Sequence, residues 1–390
     1  GVRYYLNQSK ECIGIEVKCT VTKVSIWCTT DLYNYENGTI SYPNVTELII
    51  EKDVQYICLP NTLFPNVKKI VSHSKYFLSG DMLITYEGGL LNAFCKKEDE
   101  VIDMSQVSTI YQDAFCECSS VNLINTQNVH SIHYNAFKDS GFEHLKCKDG
   151  LVIVDTLLIM ADPGKKEITL PKGLTAIDND AQRCLSCIPS ITVKDASFFA
   201  NKIKGVYQKV IIDDCEICRK DAKKIVTKPG IEEIVLNNET KDMAVDNSIL
   251  YFNDMLIACP EKINRNKIII PDGVTTIAES AFSGCGMITE IYIPASVTKI
   301  EKAAFSQCRR LQKVTFHESS QLKEIGPYCF EDDISLTKIN IPNGVKTIQQ
   351  FCFAECEQLQ EAILPKNLKV IEGVKEYIDK LKKDGHNIYI

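Results

Sequence analysis

Ile268-Ile-Ile-Pro-Asp-Gly-Val-Thr-Thr-Ile-Ala-Glu-Ser-Ala-Phe-Ser-Gly-Cys285 is answered a few residues later by Ile291-Tyr-Ile-Pro-Ala-Ser-Val-Thr-Lys-Ile-Glu-Lys-Ala-Ala-Phe-Ser-Gln-Cys308. The isoleucine that closes Val-Thr-x-Ile recurs as Ile277, Ile300, Ile325, Ile348 and Ile371, in steps of 23, 25, 23 and 23. The longer step is a two-residue insertion within 317–325. Phe282, Phe305, Phe330 and Phe353 follow the first four anchors by five residues, and Cys285, Cys308, Asp333 and Cys356 come three further on. Pro271, Pro294, Pro342 and Pro365 stand six before an anchor. A period this short indicates a solenoid, in which one coil cannot bury its apolar face without its neighbours.

Each phrase reads as one coil. Ile288, Ile291 and Ile293 space like a short strand over a one-sided core. Pro294 ends the strand because it has no N–H for the ladder. Val297–Ile300 is a second extended piece, and Glu301–Phe305 reads as one or two helical turns with Phe305 inward. Stacking such coils pairs the strands into a parallel sheet and lines the phenylalanines into a buried column.

Outward from this stretch the phrase weakens. Ile110 and Ile132 are anchors 22 apart, each followed by Ala-Phe, at Ala114-Phe115 and Ala136-Phe137. Ile168–Ile177 is one more clean half-phrase, after which the pattern blurs to about residue 262, with strand-like pieces at Ile188–Val193, Val206–Ile212 and Ile231–Leu236. A second phrase, apolar–polar turn–apolar, predicts hairpins inserted near 76–84, 151–160 and 249–258. Residues 1–44 lack the repeat, and Ile13, Ile15, Val17, Cys19 and Val21 alternate with small or polar residues. They predict a β cap over the first coil, with Trp27 in its core. The solenoid is expected over 45–373. A C-terminal cap is expected over 374–390, with Val374, Tyr377, Ile378 and Leu381 on one helical face.

The phrase Ile-x-Ile-Pro-x-x-Val-Thr-x-Ile-x-x-x-Ala-Phe-x-x-Cys, with its inserted hairpins, resembles the BspA-like leucine-rich repeat proteins over 262–373 and 101–177. The resemblance implies an α/β repeat solenoid: a right-handed, curved leucine-rich-repeat-like coil with a parallel β-sheet, short helical turns and inserted β-hairpins. It also implies a cell-surface or secreted protein that adheres to host, matrix or microbial partners. The family has no shared catalytic residues to carry over.

Composition sets further bounds. A net charge of −7 and a pI near 5.6 speak against a nucleic-acid or anionic-membrane partner, which calls for a basic field. The longest apolar run, Leu151-Val-Ile-Val, is cut by Asp155, far short of the ~20 residues of a membrane span. The chain opens on Gly1-Val-Arg rather than Met, so an export signal is expected to lie outside this sequence. No His-Glu-x-x-His, Gly-x-Ser-x-Gly, P-loop or Gly-x-Gly-x-x-Gly occurs, so neither an enzyme nor a cofactor is expected.

The 18 cysteines leave alternatives open. Cys118, Cys285, Cys308 and Cys356 hold one repeat position and read as buried thiols serving the turn. Cys184-Leu-Ser-Cys187 and Cys215-Glu-Ile-Cys218 have the pair spacing of a structural zinc site, of disulfides, or of free thiols stacked in an enlarged coil. His130, His133 and His144 lack an acidic partner at ligand spacing.

Binding is expected on the sheet face. If Ile291 and Ile293 face the core, Glu290 and Tyr292 face out, and the next coils add Lys313 and Thr315, then Lys338 and Asn340. These six residues are the candidate site for a protein or glycan ligand. The alternative is a structural or metal-stabilised interaction scaffold inside a cell, where so many unpaired cysteines would be at home.

Overall fold

The computed structural model describes residues 2–32, 41–214, 216–238, 242–366, 368–370, 379, 383, 385 and 387–389. The chain forms two compact units, Gly1–Lys165 with Gly173–Leu185, and Lys166–Lys172 with Ser186–Ile390. Within each, stacked coils align their strands in two rows.

In the second unit the first row holds Lys267–Ile269, Glu290–Ile293, Lys313–Phe316, Lys338–Asn340, Glu361–Ile363 and Asn387–Tyr389, hydrogen-bonded in that order. The second row runs through the short strands Thr276–Ile277, Lys299–Ile300, Glu324–Ile325, Thr347–Ile348 and Lys369–Val370. All these pairs are parallel and in register, so that Ile268, Ile291 and Val314 stack, as do Ile277, Ile300, Ile325 and Ile348. Every one of these side chains is buried in one contiguous core.

A third ladder joins the coils at the turn. The stretch expected as helical turns, Glu301–Phe305, is not a helix. Ala303 and Gln307 flank Phe305 in the left-handed region, at φ 52° and 64°. The same offsets recur at Ser280 and Gly284, Tyr328 and Asp332, Phe351 and Glu355, and in the first unit at Asp113 and Glu117, and Asn135 and Asp139. This geometry turns successive amides toward the next coil. Ala303, Phe305 and Gln307 donate their N–H groups to the carbonyls of Pro327, Cys329 and Glu331, at 2.9, 2.9 and 2.8 Å. Ser280, Phe282 and Gly284 do likewise to Lys302, Ala304 and Ser306, at 3.0, 2.7 and 3.0 Å. A left-handed non-glycine residue costs about 1–2 kcal/mol, which the inter-coil hydrogen bonds offset.

Inside this turn Phe282, Phe305, Phe330 and Phe353 stack with centroids 5.3, 5.2 and 5.7 Å apart. The Cys308 thiol donates to the Phe282 carbonyl at 3.1 Å and Cys356 to Phe330 at 2.9 Å. Burial pushes the Cys308 thiol well above its usual pKa, so it remains a donor at neutral pH. Asp333 takes the third thiol's place. It is fully buried, and its Oδ1 accepts from the Cys308 N–H at 2.8 Å, while Oδ2 has no protein partner. Burial, and secondarily the charge of Asp332, push its pKa up to about 9, so it is protonated at neutral pH.

The blurred stretch is a change of turn element. Ser190–Val193, Lys209–Ile212 and Glu233–Leu236 still pair in parallel register. Between them stand the helices Ala196–Lys202 and Arg219–Val226 in place of the left-handed turn. Asp195 caps the first by accepting from the Phe198 N–H at 2.9 Å. Phe199 on the first helix and Ile225 and Val226 on the second are fully buried.

In the first unit Val2–Leu6 pairs antiparallel with Cys12–Val17. Parallel pairing begins already at Lys23–Ile26, which joins Glu47–Ile50 and Lys69–Ser72, so a coil strand lies inside the expected cap 1–44. Two cap expectations are corrected. Ile13 is exposed because a register shift at Tyr5/Leu6 sets Leu6 opposite Cys12 and turns Cys12 inward instead. Trp27 is 43% exposed and meets Tyr4 edge-on at 5.8 Å on the outside. Of the expected hairpins, 249–258 is Ile249–Phe252 with Met255–Ala258 in the second unit, and 151–160 is Leu151–Val154 with Leu157–Ala161. The one near 76–84 is short: the Leu78 N–H donates to the Ile84 carbonyl at 2.9 Å and the Tyr86 N–H to the Tyr76 carbonyl at 2.8 Å. Phe77 and Thr85 form an antiparallel bridge within it, and Leu83–Ile84 pairs in turn with Gly89–Asn92, turning at Gly88. Val374, Tyr377, Ile378 and Leu381 lie outside the described residues.

Two outcomes follow. Ala303→Gly should stabilise the second unit by about 1 kcal/mol, since glycine carries no left-handed penalty; urea unfolding giving a loss instead would contradict the turn geometry. Asp333 has a folded pKa of about 9 against a reference of 3.8, so the native state holds its proton more tightly than the unfolded chain. Its contribution is complete below about pH 4 and declines toward pH 9, by up to about 1.4 kcal/mol per pH unit. Asp333→Asn should flatten that slope; an unchanged pH profile would show that Asp333 is not held protonated.

Candidate interaction face

The sheet face of the second unit follows from the pleat. Ile291 and Ile293 are buried, which leaves Glu290 and Tyr292 on the outer side. Parallel register then builds two columns. One runs Lys267, Glu290, Lys313, Lys338, Glu361. The other holds Ile269, Tyr292 and Thr315, with Asn340 beside Ile363.

The charged column alternates in sign except at one step. Lys267 pairs with Glu290 at 3.2 Å, and Lys338 with Glu361 at 2.8 Å. Lys313 stands opposite Lys338, and among the described residues it has no ion-pair partner. Elsewhere the same position is balanced: Glu47 bridges Lys23 and Lys69 at 3.1 and 3.5 Å, and Lys209 meets Glu233 at 2.8 Å. Hydrogen bonding from Lys23 holds the Glu47 carboxyl below its usual range. Among the described residues Lys313–Lys338 is the one like-charged register pair in this row. Like charges directly opposite repel, and with Lys338 paired to Glu361 the uncompensated charge rests on Lys313.

The regular pairing is shortest at the same place. Lys313–Phe316 and Lys338–Asn340 share a single registered pair, beside the insertion in 317–325, where their neighbours share three or four. A recess of about 490 Å³ lies there, lined by Glu290, Lys313, Thr315, Lys338 and Asn340 together with Phe316. Five of the six candidate residues therefore meet around one recess; Tyr292 is half-buried in the adjoining column and does not line it. Ile269, 65% exposed in the column of Tyr292, was missed. Its signal was present, because core positions at Ile268 and Ile270 force Ile269 outward, but a run of three isoleucines masks the alternation.

Among the described residues the cysteine and histidine candidates form no metal-holding group. Cys187 and Cys218 are exposed, with the Cys218 thiol 3.2 Å from Asp221 Oδ2, and Cys215 lies outside the described residues. His130, His133 and His144 are exposed. Among the described residues no group of three or more His, Cys, Asp or Glu side chains could hold a metal ion. No helix among them is long and apolar enough to cross a membrane.

A leucine-rich cell surface protein of Faecalibacterium prausnitzii A2-165 is similar at 18% identity and TM-score 0.41, over 100% of this chain and 92% of that one. The pneumococcal vaccine antigen PcpA is similar at 13% identity and TM-score 0.37, over 94% and 91%. A leucine-rich repeat protein of T. pallidum is similar at 23% identity and TM-score 0.29, over 35% and 65%. A search of curated proteins finds no match. The BspA type leucine rich repeat region is matched in six copies over residues 91–203 and 258–374. With more than half of its length matched, and with the stacked anchors, phenylalanines and turns of the repeat in place, the chain belongs to the BspA-type leucine-rich repeat family.

Proposed function

We propose that the sheet face of the second unit is a non-enzymatic binding surface for an acidic patch on a protein or glycan partner, presented at the cell surface or outside the cell. The observation that carries this is the Lys313–Lys338 pair over an open recess. The repeat positions around it are committed to the core, and solenoids of this family serve interaction rather than catalysis. Tyr292 and the exposed Ile269 supply apolar contact beside the charges, as interface centres do.

One observation favours the second reading, an interaction scaffold in reducing surroundings. Cys308 and Cys356 work as thiol donors inside the core, a role that requires them to stay reduced. Thiol titration of the denatured, unreduced protein separates the readings: close to a full complement of free thiols favours the scaffold, few favour the exported protein.

Charge reversal tests the first. Lys313→Glu with Lys338→Glu should weaken binding to purified matrix glycoproteins by about tenfold or more, and raised salt should weaken the parent protein's binding in parallel. Saturable binding untouched by the double reversal would remove this face from the function.

A further inference from the structure

The first unit carries a cavity that the sheet face does not explain. In its second row Ile57–Cys58 is the edge of one four-stranded sheet and Leu83–Ile84 the edge of another. The meander at 83–92 interrupts the row, and a cavity of about 710 Å³ opens there, lined by residues from 55–62, 77–91, 111–116 and 133–139. That volume is of the size that receives small organic ligands.

Its walls combine ring faces with hydrogen-bonding side chains. Tyr56 and Tyr111 are 51% and 37% exposed, and the His133 ring lies 4.6 Å from that of Tyr111. Tyr111 is held in place: a Cβ on Gly89 would come within 2.4 Å of its Cε2, so the ring rests on a bare backbone. Gln55, Gln112, Asp113, Lys138 and Asp139 line the same space. The Gln112 amide donates to Asp113 at 3.2 Å, and Lys138 sits 3.8 Å from Asp139. Burial first, then Cys58 and Asp31, push the Tyr56 phenol up to about 12, which keeps its hydroxyl a donor.

This lining discriminates between ligand classes. Asp113 and Asp139 disfavour an anion, and Lys138 disfavours a cation. What remains is a dense, nearly charge-balanced set of donors and acceptors between exposed ring faces. A neutral sugar matches both, with hydroxyls for the amides and carboxylates and a C–H face for the rings. We propose that the cavity bounded by Tyr56, Tyr111 and Gln112 is a saccharide-binding site for a short neutral oligosaccharide. It is independent of the lysine pair on the other unit.

The test titrates the full chain with maltotetraose, cellotetraose, chitotetraose and N-acetyllactosamine, and with tetramethylammonium and sulfate as charged comparators. The expected result is saturable binding of at least one sugar, weakened about tenfold or more by Tyr111→Ala and by Gln112→Ala, and unchanged by Lys313→Glu. Gly89→Ala should weaken it too, by displacing a ring that is still present. Tyr56→Ala, at the most exposed ring, stands in should Tyr111→Ala lower the melting temperature. No saturable binding of any of the four sugars, equal binding by the Tyr111 and Gln112 variants, or tighter binding of a charged comparator would overturn the proposal.

Discussion

Twice in every regular turn the backbone must enter the left-handed region, and this only becomes favourable when another coil lies alongside. In isolation, Ala303 and Gln307 would leave the amides of Ala303, Phe305 and Gln307 aimed at nothing. Stacked on the next coil, those amides meet Pro327, Cys329 and Glu331. The turn is thus as cooperative as the two strand rows. It also explains the residues within it. The phenylalanine ring fills the space enclosed by the bend, and the cysteine thiol saturates the carbonyl of the preceding coil's phenylalanine. Where the helices of 196–226 replace the turn, both signatures disappear together.

With the core positions fixed in this way, two kinds of place stand out on the surface. One is the outward parity of the first-row strands of the second unit, where charge alternation pairs Lys267 with Glu290 and Lys338 with Glu361 and leaves Lys313 unmatched. The other is where a row is interrupted. Inside the second unit the pairing thins beside the insertion in 317–325, and a recess follows. Inside the first, the meander at 83–92 splits the second row, and the larger cavity follows. Irregularity in a regular scaffold is where concave, polar surface can form at all.

How much of this the amino-acid sequence carries depends on periodicity. The anchors Ile277 to Ile348, the phenylalanine column and the outward parity of Glu290 and Tyr292 are all legible, because a fixed offset repeated four times leaves little latitude. The left-handed turn is not, because its positions hold Asp, Asn, Ser, Ala, Tyr and Phe rather than a run of glycines. The pairing near 76–84 is legible, but its continuation into Leu83–Ile84 with Gly89–Asn92 is not, because two adjacent apolar segments both fit the phrase and only the glycine pair at 88–89 marks the second turn. Trp27 looked like core on hydrophobicity alone, whereas its position puts it outside against Tyr4. Neither recess was legible, since each depends on how far strand pairing extends between coils.

Native-state hydrogen exchange of the second unit tests the central claim most directly. If the turn is a third ladder, the amides of Phe282, Phe305 and Phe330 exchange as slowly as those of the paired strand at 290–293, and they open together with it. Exchange of these amides at the rate of exposed loops, with the strand amides still protected, would show that the coils are held by their two strand rows alone.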